Sequence, residues 1–100
     1  MINEINKEIL DNFYSRALFS YLRCIGNPEN IFLSEEIGMN ISKVLTKNDT
    51  VSIKYNGTNL ENFVIEVKLI LLSEKGLELG YFTSVLDEKQ NELDDFLVFK

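Results

Sequence analysis

Residues 61–73 run Glu61-Asn62-Phe63-Val64-Ile65-Glu66-Val67-Lys68-Leu69-Ile70-Leu71-Leu72-Ser73, and the alternation within them decides the fold class. Phe63, Ile65, Val67, Leu69 and Leu71 recur every second residue. Successive side chains of a strand point to opposite faces, so these five predict one unbroken apolar row. Glu66 and Lys68 keep the stretch far short of the ~20 apolar residues of a membrane span.

The same period extends in both directions. Upstream, Val51, Ile53 and Tyr55 alternate with Ser52, Lys54 and Asn56, which predicts a strand over 51–56. Asn56-Gly57 is a turn signal, with the next strand expected from about residue 61. Downstream, strands are expected over 77–87, with Leu77, Leu79, Tyr81 and Val85 on one face, and over 93–99. No proline follows Pro28 to interrupt them. Between the two long strands, a three-residue loop Glu74-Lys75-Gly76 sets Leu71 opposite Leu79, Leu69 opposite Tyr81 and Ile65 opposite Val85. Apolar rows then coincide, and Gly76 takes the left-handed position that such a loop needs. Phe82, Leu86, Ile70, Phe96 and Val98 are left on the second face, beside Glu66 and Lys68. That face is mixed, whereas a solvated sheet face is polar. Either the second helix covers it or it is a protein interface.

Two helices precede the strands. Over 3–25, Ile5, Ile9, Phe13, Ala17, Tyr21 and Ile25 recur every four residues, and Leu10, Leu18 and Leu22 widen the stripe. Asn3 is the expected cap, and Gly26 and Pro28 are the stop. Over 34–47, Ser34 is the expected cap of a second helix carrying Ile37, Ile41, Val44 and Leu45, with Gly38 weakening it. Ile31-Phe32-Leu33 is read as a short extended entry. The expectation is one α+β domain over 1–100: two N-terminal helices packed on a four-stranded antiparallel meander sheet.

The chemistry is narrowed mainly by what is missing. The 100 residues contain no His and one Cys. There is thus no imidazole base, no intramolecular disulfide and no cysteine-based zinc set. Cys24 sits in a helical pattern and reads as a small buried hydrophobe. The five glycines are scattered, which excludes phosphate-binding loops, and no G-x-S-x-G elbow occurs. Asp87 to Asp95 fails the calcium-loop pattern, with Lys89 at the third place and Glu92 where glycine is required. No enzyme, metal or cofactor is expected. The start of the chain lacks a basic segment followed by an apolar core, so a cytosolic protein is expected. The Asn-x-Ser/Thr triplets at Asn40, Asn48 and Asn56 then read as chance.

Net charge is −6, from 16 acidic and 10 basic residues. That excludes nucleic acid as the expected partner, because its binding rests on phosphate neutralisation. The charge is uneven. Glu74, Glu78, Asp87, Glu88, Glu92, Asp94 and Asp95 face only Lys75 and Lys89 over residues 74–95. Such a surface favours a basic protein partner.

The stretch Gly80-Tyr81-Phe82-Thr83-Ser84-Val85-Leu86-Asp87-Glu88-Lys89-Gln90-Asn91-Glu92-Leu93-Asp94-Asp95-Phe96-Leu97-Val98-Phe99 resembles the closing hairpin of small acidic bacterial immunity proteins. There a strand, an acidic turn and an Asp-Asp-aromatic-aliphatic strand end the domain. The resemblance covers about twenty residues. It implies a non-catalytic protein that neutralises a co-encoded basic toxin domain. The candidate partner-binding residues are Glu78, Asp87, Glu88, Glu92, Asp94, Asp95, Phe82 and Phe96. The alternative is an acidic, chaperone-like or structural homodimer that associates through the mixed sheet face.

Overall fold

Asn6 starts the first helix, its Oδ1 accepting the Ile9 N–H at 3.0 Å. The computed structural model describes residues 6–30 and 32–100. The expected cap Asn3, Ile5 of the stripe and Ile31 of the extended entry therefore lie outside the described residues. Helix α1 spans Lys7–Ile25 and ends at Gly26. It buries Phe13, Ala17, Ser20 and Tyr21. Its apolar stripe is wider than the sheet face it covers: Leu18 and Leu22 stand outside the core, Leu22 at 52% exposure, next to exposed Phe19.

The expected second helix over 34–47 is corrected. Helix α2 spans only Leu33–Ile37. Gly38 stops it in the left-handed conformation, φ 72°. The Met39 N–H reaches back to the Ser34 carbonyl at 3.1 Å and the Gly38 N–H to the Glu35 carbonyl at 3.2 Å. This paired closure satisfies the last helical carbonyls. Ser34 does not cap α2; its Oγ accepts the Ile41 N–H at 3.0 Å and holds a 3-10 turn, Ile41–Lys43, against the helix.

Four strands follow: β1 Leu45–Asn56, β2 Asn59–Leu72, β3 Glu78–Leu86 and β4 Glu92–Phe99. They form one antiparallel sheet in sequence order. β1 begins six residues before the expected boundary at 51. Thr46 to Thr50 hold no apolar alternation, because an edge strand is held by backbone pairing and shows half of itself to solvent. A bulge at Asp49 breaks its register. β2 also starts earlier than expected, so Gly57 (φ 62°) and Thr58 alone separate the two strands.

The β2–β3 turn has the expected three residues. The Ser73 N–H donates to the Leu77 carbonyl at 2.8 Å, and Gly76 sits at φ 84°. The expected strand register is nevertheless wrong. Leu72 faces Glu78, then Leu79 bulges out, and Leu71 faces Gly80, Leu69 faces Phe82 and Ile65 faces Leu86. One extra residue sends the whole of β3 to the other face. Gly80 shows why this is accommodated. It stands opposite Phe99, and a Cβ there would lie 1.9 Å from the Val98 carbonyl oxygen. Only glycine permits that approach of β4.

The core lies between α1 and this inner face. Phe13, Ala17 and Tyr21 meet Ile65, Val67, Leu69, Leu71, Phe82 and Leu86, and Val44 closes one end. The Tyr21 ring stands edge-on to Phe82, centroids 5.6 Å apart. Each buried Val, Leu, Ile or Phe side chain among them contributes ~1.5–3 kcal/mol. Ile37, Met39 and Ile41 pack on the same cluster, so the α2 segment does not cover the outer face. Among the described residues no helix is long and apolar enough to cross a membrane.

Candidate interaction face

The outer face is built from cross-strand rows. Lys47, Ile70, Tyr81 and Val98 form one; Thr50, Lys68, Thr83 and Phe96 the next; Ser52, Glu66, Val85 and Asp94 a third. Thr83 is buried at the floor between larger neighbours. Glu66, Lys68, Tyr81, Thr83, Phe96 and Val98 line a shallow groove of about 340 Å³. On the β1 side its charges are matched within the sheet. Lys54 pairs with Glu66 at 3.0 Å, and Lys68 lies 3.9 Å from Asp49. The Lys68 ammonium also stands 4.4 Å above the Tyr81 ring. On the β4 side the apolar groups are open, Phe96 at 50% and Val98 at 37% exposure.

The acidic candidates do not form one patch. Glu78 lies at the opposite end of β3 from the β3–β4 turn and is ion-paired to Lys100, which lowers its pKa. Asp87 is structural: its Oδ1 accepts the Lys89 and Asn91 N–H groups, each at 2.8 Å. The bond from the Asn91 backbone is the main cause of its lowered pKa. Glu92 turns inward to α1, where its carboxylate accepts the Ser20 hydroxyl at 2.8 Å and the Arg23 guanidinium at 2.9 Å. Those two partners, Ser20 first, hold its pKa down. Asp95 is also on the helix side, opposite Ser84; burial, then the Glu92 charge, raises its pKa. Glu88 is exposed in the turn, and Asp94 shares the outer face with Phe96.

Phe82 is the other correction. It is fully buried under Tyr21 and shares no face with Phe96, because the Leu79 bulge turned β3 over. Of the eight expected residues, the structure brings Asp94 and Phe96 together on one open surface, with Glu88 beyond it in the turn.

Sequence reasoning missed the groups that fasten this hairpin to the helix. Arg16 donates to the Gln90 carbonyl at 2.7 Å and to its side-chain oxygen at 3.2 Å. Arg16 and Arg23 thus set two cations against the acidic turn. Some 70 residues separate these partners in the chain, and no local pattern announces them. Cys24 is half-buried, and burial raises its thiol pKa, which disfavours the reactive thiolate. Among the described residues no group of three or more potential ligands is placed to hold a metal ion. The chain matches no protein-family model, and no curated protein or solved structure is significantly similar to it.

Proposed function

We propose that this chain is a non-catalytic binding protein of the toxin-immunity kind, which neutralises a co-encoded basic toxin domain in the cytosol by covering its active site. The observation that carries the reading is the open apolar pair Phe96 and Val98, set beside Tyr81 on a sheet face with Asp94 at its rim. An interface needs an apolar centre to desolvate and rim charge to select its partner, and this surface supplies both. The contact is centred on Glu88, Asp94, Phe96 and Val98. Glu78, Asp87 and Glu92 are engaged within the chain.

The test is co-expression with the product of the neighbouring reading frame in a host whose growth that product arrests. The wild-type chain is expected to restore growth. The double variant Asp94→Lys, Phe96→Glu is expected to fail while keeping the wild-type circular dichroism spectrum. Absence of rescue by the wild-type chain, or full rescue by the folded double variant, would refute the reading. A dimer in sedimentation that Phe96→Glu abolishes would assign the face to a second copy instead.

A further inference from the structure

β4 is an edge of the sheet, and its pairing fixes which backbone groups face outward. The Lys100 N–H donates to the Leu79 carbonyl at 2.9 Å, one step beyond the Gly80–Phe99 pair. Directly opposed residues of an antiparallel pair alternate between exchanging both hydrogen bonds and exchanging none. Lys100, Val98, Phe96 and Asp94 therefore bond towards β3, and Asp95, Leu97 and Phe99 turn N–H and C=O to the open side. Among the described residues nothing bonds to the backbone of Leu97 or Phe99 there. The Asp95 N–H is met only by the neighbouring Asp94 Oδ1, at 2.8 Å. The register is unbroken from Asp94 to Phe99. The other edge, β1, is interrupted by its bulge and carries Lys47 and Lys54, two devices that blunt an edge.

The side chains along this open edge are ordered. At one end Asp94 points to the outer face and Asp95 to the inner one, so an added strand meets a carboxylate on both faces. Beyond them come Phe96 and Val98 outside, and Leu97 and Phe99 inside. Given the reading that this face meets a basic partner, the geometry points to the mode of contact. An extended segment of the partner adds to β4 as a fifth strand, with two adjacent cations opposite Asp94 and Asp95 and apolar residues opposite Phe96 and Val98. Main-chain bonds hold such a strand and alternate side chains select it. The antiparallel sense is the more stable per residue. A cation beside Asp94 draws its carboxylate off the Asp95 N–H and releases that donor to the new ladder.

The experiment titrates the full, ¹⁵N-labelled chain with a synthetic hexapeptide. The peptide carries lysines opposite Asp94 and Asp95, isoleucine and valine opposite Phe96 and Val98, and threonines opposite Leu97 and Phe99. Saturable shifts of the Asp95, Leu97 and Phe99 amides are expected. N-methylation of the peptide nitrogens opposite Asp95 and Leu97, which face β4, is expected to weaken binding about tenfold or more. N-methylation opposite Asp94 and Phe96, which faces away, is expected to leave it nearly unchanged. Equal loss from both methylations, no saturable binding, or shifts centred on Leu18, Phe19 and Leu22 of α1 would overturn the inference. So would concentration-dependent shifts of the same amides without peptide, which would give the edge to a second copy. Growth rescue that persists alongside any of these results would show that the edge contact had failed and the immunity reading had not.

Discussion

Gln90 is the one described non-glycine residue with positive φ, at 66°. It occupies in the β3–β4 turn the place that Gly76 occupies in the β2–β3 turn. A side chain there costs roughly 1–2 kcal/mol, and the Arg16 bonds to Gln90 help to offset it. The stronger of these bonds goes to the backbone carbonyl, which a glycine keeps. Gln90→Gly is therefore expected to raise stability by about 1 kcal/mol; a lower urea midpoint would show that the side-chain bond outweighs the strain. Tyr21 carries the opposite kind of cost. Its ring is buried, and its hydroxyl has no partner among the described residues. Burial pushes its pKa from 10.0 up to about 12. An unmet buried hydroxyl costs about 1–3 kcal/mol, so Tyr21→Phe is expected to be neutral or stabilising. The pH dependence follows from the sign of the shift. Below pH 10 the phenol is neutral in both folded and unfolded chains, and Tyr21 adds no pH dependence. Between 10 and about 12 the unfolded chain ionises first, so stability falls with rising pH. Tyr21→Phe should flatten that fall, and an unchanged slope would rule Tyr21 out as its source.

Among the elements, α1 separates what a periodic pattern tells from what it does not. The helix and its stop at Gly26 were legible, because a four-residue spacing and a terminal glycine are local signals. How wide a stripe the sheet would cover was not, because that depends on which β3 row lies beneath it. Leu22 repeats at helical spacing as well as Phe13 does, yet it stands half in solvent. Phe13→Ala is expected to cost about 3–5 kcal/mol, and Leu22→Lys to fall within about 0.5 kcal/mol of wild type. A large loss for Leu22→Lys in urea denaturation would place that side chain in a covered surface. The sheet shows the same division. Four sequential strands and the three-residue turn followed from alternation and from Gly76. The side of β3 that faces the core did not, because β3 has two competing apolar rows and the bulge that selects one leaves no mark beyond Gly80, whose missing Cβ matters only once β4 lies against it.

For the molecule as a whole, the acidic balance of the last hairpins was plain in the sequence, but its distribution was not. Arg16 and Arg23 come from the other end of the chain, and they hold Glu92 and the turn on the helix side. The charge left for a partner lies at Glu88, Asp94 and Asp95. Rim charge acts chiefly on encounter, so Asp94→Asn with Asp95→Asn is expected to slow association with the neighbouring frame's product more than it speeds dissociation. Stopped-flow association that is equally fast at low and high salt would rule out steering by this end. The bulge at Leu79 also sets a problem in time. One residue away lies a ladder that closes with the same turn and joins Leu71 to Leu79, Leu69 to Tyr81 and Ile65 to Val85. Hairpins zip in about 1–10 μs, so a β2–β3 pair that closes before α1 and β4 have docked can take either ladder. Chains caught in the wrong one must unzip before Phe82 can pass beneath Tyr21. Refolding followed by circular dichroism is expected to show a minor slow phase that Tyr81→Lys, which makes the wrong row polar, removes. Single-exponential refolding of the wild-type chain would mean that the wrong ladder traps no chains.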